Sequence, residues 1–534
     1  MLTVRDRIYE VFRAHGVTTI FGNPGSTELP FLQNFPKDFR YILGLQEASV
    51  VAMATGFSLF SGEPAIVNLH THAGTGNAMG AIVTASYAQA PLLITAGQQD
   101  RRQIRAEPFL WGKHAEFVRP YVKWSVEPQR SVDVPETLER AFHIAMTEPC
   151  GPVFVSIFMD GLDDPCPPVE TRKVAYKTAP DPASIFEFAG ILSNSRKIAI
   201  VAGPQIDASG ATNIVVQLAE KLNADVFFSP IAYRWSFPTD HELFKGTLPP
   251  AMGPLGERLA PYDTVLVIGA DVFLYYPFVP GAVVRQSTQV LHITNDPIMA
   301  SRALTGRSIV GNIALCVDQL NSLVEKRERA ASLRKSVESV AILTNPPKPD
   351  FVYQELAKVF PPHVVIFEEA PSSHSFFQRH SHLNEPNSYF ETASGGLGFA
   401  MPAAVGAALR NVHKRPIVAI LGEGSAQYSI QSLWSASRYE APVTFIIINN
   451  EEYAILKSFA ELMAEKDIPG LDISGIDFPG LALGYGIDYR EVTEPERLGQ
   501  IVHEAIQSKK PNLVNIPIDP FVPPLLGRST NRST

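Results

Sequence analysis

Three doubly wound α/β domains in tandem, each on a parallel sheet, are what this sequence predicts. Two observations carry the expectation. Short β-rich apolar runs alternate with helical patterns almost from end to end, and two Pro-rich, charged interruptions split that alternation into three blocks. The length of 534 residues agrees, since one ordinary core does not extend so far and domains of about 150 residues are usual.

Taken in order, the opening MLTVRDRIYEVFRAHGV carries charge throughout and reads as an amphipathic helix rather than a signal peptide. The first block, 1–165, offers TTIFGNP, FRYILGLQE, PAIVNLH, APLLITAGQ and GPVFVSIFMD as strands, several short and apolar enough to be buried on both faces. Residues 161–182 replace periodicity with Pro and charge and read as a linker. The second block, 183–340, gives KIAIVAG, ADVFFSP, DTVLVIGA and QVLHITND, then a charged helical stretch and a Pro-rich joint near 345–350. The third, 348–525, gives HVVIFEEA, RPIVAILGEG, PVTFIIINN and PNLVNIPID. The polar tail LLGRSTNRST is expected to fray.

Hydrophobic residues make up 45% and charged residues 19%, as in a globular chain with ample core. The formal charge of -9 and the lack of a long Lys/Arg run argue against a nucleic-acid partner. No stretch approaches 18 uninterrupted apolar residues, so no membrane span is expected. Cys150, Cys166 and Cys316 lie far apart, outside any disulfide or metal-ligand spacing, which suits a reduced, cytoplasmic setting.

The chemistry concentrates first at 421–450, LGEGSAQYSIQSLWSASRYEAPVTFIIINN. A strand runs into Gly422-Glu423-Gly424-Ser425, a helix follows, and the next strand ends on Asn449-Asn450. Ligands of open parallel sheets sit at the carboxyl ends of strands, where glycines admit a ligand to the backbone and a helix start offers free N–H groups to a phosphate. A carboxylate and an amide oxygen from neighbouring strand ends can share a hard cation such as Mg²⁺ or Ca²⁺. A plain helix start with Glu near the positive end of its dipole is the competing reading. Upstream, SGGLGFAMPAAVGAAL is another Gly-rich strand-to-helix turn. In the first block Glu47 ends a strand and opens the apolar helix ASVVAMATGFSLF, where a carboxylate needs a partner.

These segments resemble the thiamine diphosphate-dependent enzymes, whose diphosphate signature is G-D-G-S followed by N-N. Glu423 stands where that family carries Asp. FGNPGSTELPFL, FRYILGLQEASVVAMATGF, NLHTHAGTGNAMGA and LLITAGQQ are similar to the benzoylformate decarboxylase-like members, the resemblance running from about residue 2 to about 520. It implies pyrimidine-binding, middle and diphosphate-binding domains in that order, and non-oxidative decarboxylation of a 2-keto acid to an aldehyde, with carboligation as a companion reaction. Glu47 would bond the pyrimidine ring and promote loss of the thiazolium proton; Ser26 would hold the substrate carboxylate and His70 would move protons. The resemblance assigns Glu423, Asn450 and the Glu452 carbonyl to the metal. It assigns Gly395, Leu397, Ser372, Gly424, Ser425, Tyr428 and Tyr453 to the cofactor, and Asn23, Gly25, Leu456 and Phe459 to the substrate pocket.

The resemblance breaks at two places. Tyr276 occupies the position of a second catalytic histidine, which a phenol cannot replace as a proton shuttle near neutral pH. Ile455 stands where a smaller residue is usual, narrowing the pocket. His374, in a loop beside the cofactor, and His72, two residues past His70 on the same strand face if the strand persists, are candidate substitutes. An acetolactate synthase-type carboligase or lyase, and a cofactor-binding non-catalytic homologue, are the alternative readings. The family pattern further implies a homodimer or homotetramer with sites between subunits, and a middle domain without FAD.

Overall fold

The computed structural model describes residues 1–327, 341–412, 414–522 and 525. The charged helical stretch expected after Val324 and the fraying tail lie almost wholly outside them. Three six-stranded, all-parallel sheets follow one another along the chain, as expected. The first comprises β1 (Thr19–Gly22), β2 (Arg40–Leu43), β3 (Ala65–Leu69), β4 (Leu92–Gln98), β5 (Trp124–Val126) and β6 (Val153–Phe158), in the order β2-β1-β3-β4-β6-β5. The second comprises β7 (Ile198–Ala202), β8 (Asp225–Phe228), β9 (Phe244–Thr247), β10 (Thr264–Ile268), β11 (Gln289–Thr294) and β12 (Arg307–Val310), ordered β12-β11-β10-β7-β8-β9. The third holds β13 (Val365–Glu369), β14 (Tyr389–Glu391), β15 (Ile417–Gly422), β16 (Val443–Asn449), β17 (Asp488–Glu491) and β18 (Asn512–Pro517), ordered β14-β13-β15-β16-β18-β17.

Central strands are buried at nearly every position because helices cover both faces, which is why they read as continuous apolar runs. Five strands went unread, β5, β9, β12, β14 and β17, and each is a sheet edge. These edges are only three or four residues long, and all but the buried β14 are largely exposed or half-buried, so their sequences carry neither alternation nor an apolar run. The linker carries neither helix nor strand from 166 to 181.

One hydrophobic core joins the first and third domains and another joins the second and third, so the third domain sits between the other two. The first junction is the crossing of the Glu47–Ser61 and Ala400–Arg410 helices. Glycines let the backbones touch there. A Cβ on Gly406 would come within 1.8 Å of the Met53 carbonyl oxygen, and one on Gly56 within 2.1 Å of that of Ala403.

Candidate active site

In the first domain β1, β2 and β3 are adjacent and parallel, so the loops leaving their carboxyl ends meet at one edge. Those loops bring Asn23, Glu47 and His70 together. Glu47 is the first residue of its helix, where the helix dipole favours its charge, and is 9% exposed. Its carboxylate accepts the side-chain amides of Asn23 and Asn77, both at 3.1 Å. Asn77 was not singled out from sequence; its only signal is one amide on a helix face of small residues.

His70 caps the Thr71–Tyr87 helix, with Nδ1 2.8 Å from Glu28 Oε2 and 3.1 Å from Thr27 Oγ1. Glu28, also missed from sequence, is 1% exposed and accepts the backbone N–H groups of Gly25 and Gly97, each at 2.8 Å. The bond from Glu28 raises the His70 imidazole pKa against the opposing pull of burial. Nδ1 is thereby committed and Nε2 is the nitrogen left to meet a ligand. Gly25 is required by contact, since a Cβ there would lie 2.2 Å from His70 Nδ1. Ser26 is exposed in the same loop. His72 does not share a strand face with His70: β3 stops at Leu69, a helix begins at Thr71, and His72 Nδ1 pairs with the Leu110 carbonyl at 3.2 Å.

In the third domain the register Gly422↔Ile448 sets the ends of β15 and β16 side by side. Glu423, 3% exposed, and Asn450 are thus neighbours, and one N–H, that of Glu452, lies 2.9 Å from Glu423 Oε1 and 3.2 Å from Asn450 Oδ1. Burial raises the Glu423 pKa to about 7, while the backbone N–H groups of Glu423, Asn450 and Glu452 resist the shift. A buried carboxylate and an amide oxygen converging on one point form the donor set of a hard divalent cation, whose charge would remove that burial penalty.

A cleft opens beside this pair. It is lined by Ser372, Leu397, Gly424, Ser425, Tyr453 and Ile455 as well as Glu423, Asn450 and Glu452. Tyr453 packs where a Cβ on Gly424 would lie, and Ser372 Oγ accepts the Ile455 N–H at 3.0 Å. The Gly-rich loop before Ala400 is held by the buried Glu369, whose carboxylate accepts the N–H groups of Gly398, Phe399 and Ala400. Burial lifts its pKa to about 7 against those three bonds. Glu369 was missed because its partners lie some 30 residues on.

Other expected residues sit outside the cleft. Gly395 occupies the loop with φ +75°, Tyr428 is exposed, and Leu456 is half-exposed. Tyr276, 60% exposed, packs at a tilt against Phe459 with ring centroids 5.0 Å apart, so a middle-domain loop touches the helix after the cleft. His374 is not among the residues lining the cleft; its Nδ1 pairs with Glu368 Oε2 at 2.8 Å and its Nε2 meets Gln378. Burial would lower its pKa, yet Glu391 and Glu368 outweigh that and lift it to about 9.

Every residue lining the cleft belongs to the third domain, from Pro349 to Phe521. The Glu47 site, in the first domain of the same chain, contributes none.

Comparison with known proteins gives three successive family matches. These are thiamine pyrophosphate enzyme, N-terminal TPP binding domain, at residues 2–117; the central domain at 185–320; and the C-terminal TPP binding domain at 371–516. A benzoylformate decarboxylase of Pseudomonas aeruginosa is 41% identical over 531 residues, covering 98% of this chain and 100% of that protein. The crystal structure of benzoylformate decarboxylase from Polynucleobacter necessarius superposes with a TM-score of 0.95 at 39% identity, covering 98% of this chain and 100% of that one. A thiamine diphosphate-dependent 4-hydroxybenzoylformate decarboxylase of Rhodococcus jostii RHA1 gives 0.93 at 37% identity, over 97% and 99%.

Proposed function

The chain belongs to the thiamine pyrophosphate enzymes, in the branch of benzoylformate decarboxylase, and from that membership we propose that it releases CO₂ from an aromatic 2-keto acid to leave the aldehyde. The observation that carries the reading is the pair of half-sites: a buried Glu47 held by two amides, and a buried Glu423–Asn450 pair beside a cleft. Full-length likeness to enzymes named for benzoylformate and 4-hydroxybenzoylformate supports an aryl substituent.

Thiamine diphosphate, when bound, supplies the electron sink that accepts the electrons released with CO₂. Glu423, Asn450 and the Glu452 carbonyl would hold Mg²⁺, and through it the diphosphate, with Gly424 and Ser425 admitting the phosphates to the backbone. Leu397 would support the cofactor from the Gly-rich loop that Glu369 fixes. Asn23 and Asn77 keep the Glu47 carboxylate aimed so that it can share a proton with the pyrimidine ring. His70, with Nδ1 tied to Glu28, presents Nε2 as the group that gives and takes protons, and Ser26 would bond the substrate carboxylate. Tyr276 serves as an aromatic wall against Phe459, and Ile455 narrows the space beside the reacting carbon. Proton transfer therefore falls to His70 alone of the two histidines the family uses.

Because Glu47 takes no part in the cleft of its own chain, the complete site forms between two copies, in a homodimer or a homotetramer built as a pair of dimers. Three free cysteines support a cytoplasmic setting. The test is a panel of keto acids (benzoylformate, 4-hydroxybenzoylformate, phenylpyruvate, pyruvate) with added cofactor and Mg²⁺, reading CO₂ and aldehyde. Turnover of the first two with their aldehydes is expected. Acetolactate from pyruvate as the main product, or no CO₂ from any acid, overturns the reading.

A further inference from the structure

On the opposite face of the first sheet, away from Glu47, three side chains outside the catalytic machinery converge. His15 ends the first helix, and Glu139 and His143 lie one turn apart on the Val134–Met146 helix. Glu139 Oε2 is 2.6 Å from His15 Nε2, Glu139 Oε1 is 3.0 Å from His143 Nε2, and ligand atoms of all three lie within 4.8 Å of one another. Glu139 and His143 are buried, while His15 keeps one edge open to solvent. Two imidazoles and a carboxylate are the donor set of a transition metal, zinc above all.

The surroundings fix these rings for ligation. His143 Nδ1 lies 2.8 Å from the Tyr176 hydroxyl, an oxygen that can accept the Nδ1 proton when the Nε2 lone pair goes to a metal. His15 stacks on Phe142 at 4.3 Å, which sets its plane. Tetrahedral zinc spaces its ligand atoms by roughly 3.3 Å, so the His143–Glu139 distance needs to open by about 0.3 Å and the His15–Glu139 distance by about 0.7 Å, a rotation of the solvent-edge imidazole. The remaining coordination position falls to water at the open edge. A second cluster, Glu368, His374 and Glu391, also has three donors. It is spent on an ion pair, since a protonated His374 has no lone pair to offer.

The geometry points to a zinc-class metal site at His15, Glu139 and His143 that fastens the interdomain linker. Tyr176 belongs to that linker, and Arg172 donates its N–H to Glu139 Oε1 at 2.9 Å. Metal that orders these side chains also orders residues 172–176. The linker is otherwise exposed and offers trypsin Arg172, Lys173 and Lys177.

The test adds Zn²⁺ to the full chain kept saturated with thiamine diphosphate and Mg²⁺, and measures binding against a colorimetric chelator together with tryptic cleavage of the linker. One zinc per chain and slowed cleavage are expected. His143→Ala and His15→Gln should weaken binding by roughly tenfold or more and abolish the protection, with CO₂ release unchanged. His374→Ala should bind as the parent does. Cobalt in place of zinc should give the visible absorption of a four-coordinate ion in the parent protein, a reading that needs no variant. Binding that survives both histidine substitutions, or is lost in His374→Ala instead, overturns the proposal. So does the absence of saturable zinc binding.

Discussion

At the scale of single residues, the site is organised by buried carboxylates that each settle a neighbour. Glu28 does so for His70: it fixes which ring nitrogen is free and stabilises the protonated ring. Glu28→Gln keeps the shape and removes the charge, so the His70 pKa should fall. The limb of the kcat/KM–pH profile governed by His70 should then move to lower pH, and an unmoved limb would assign that limb to another group. His374 makes a separate prediction about stability. Its pKa rises from 6.5 to about 9 in the folded protein, so its contribution is full below about 6.5 and lost as pH rises through about 9. The melting temperature of the parent should therefore decline across that window more steeply than that of His374→Gln, which differential scanning fluorimetry at a series of pH values will read. The residues legible in the sequence, Glu47, His70, Glu423 and Asn450, are those at the ends of recognisable strands. Glu28, Asn77 and Glu369 were not, because each acts through partners that are near only after folding, and an isolated acid or amide looks the same on a solvated face.

At the scale of elements, strand ends decide the geometry and helix crossings decide how the domains sit. Central strands were readable because burial on both faces demands unbroken apolar runs; of the six edge strands only β2, which carries the run Tyr41–Leu43, was readable. The loss of β3 at Leu69, one residue before His70, moved His72 from the active edge to a helix. Periodicity could not have located that stop, because HTHAG suits either state. The crossing of the Glu47–Ser61 and Ala400–Arg410 helices was likewise invisible, although both carry the glycines that permit it. Gly406→Ala forces a methyl against the Met53 carbonyl and should cost about 1–3 kcal/mol, seen as an earlier unfolding transition of the first and third domains. An unchanged transition would mean the crossing relaxes freely.

At the scale of the whole molecule, the separation of the two half-sites within one chain is the feature with the largest consequence. In the proposed function the first domain supplies the carboxylate that activates the cofactor and the third supplies its anchor, and the cleft of one chain draws on the third domain alone. Two chains related by a two-fold axis can close two complete sites, each from one first domain and one third domain. The direct measurement is complementation. Glu47→Gln and Glu423→Gln are purified singly, and as a hybrid from cells producing both chains under different affinity tags. Each parent should lose roughly 10²-fold or more of its CO₂ release. In the hybrid one site carries both substitutions and the other carries neither, so activity should return to about a quarter to a half of the unsubstituted enzyme. A hybrid as inactive as its parents would contradict a site shared between chains, and full activity in Glu47→Gln alone would contradict the role of Glu47 itself.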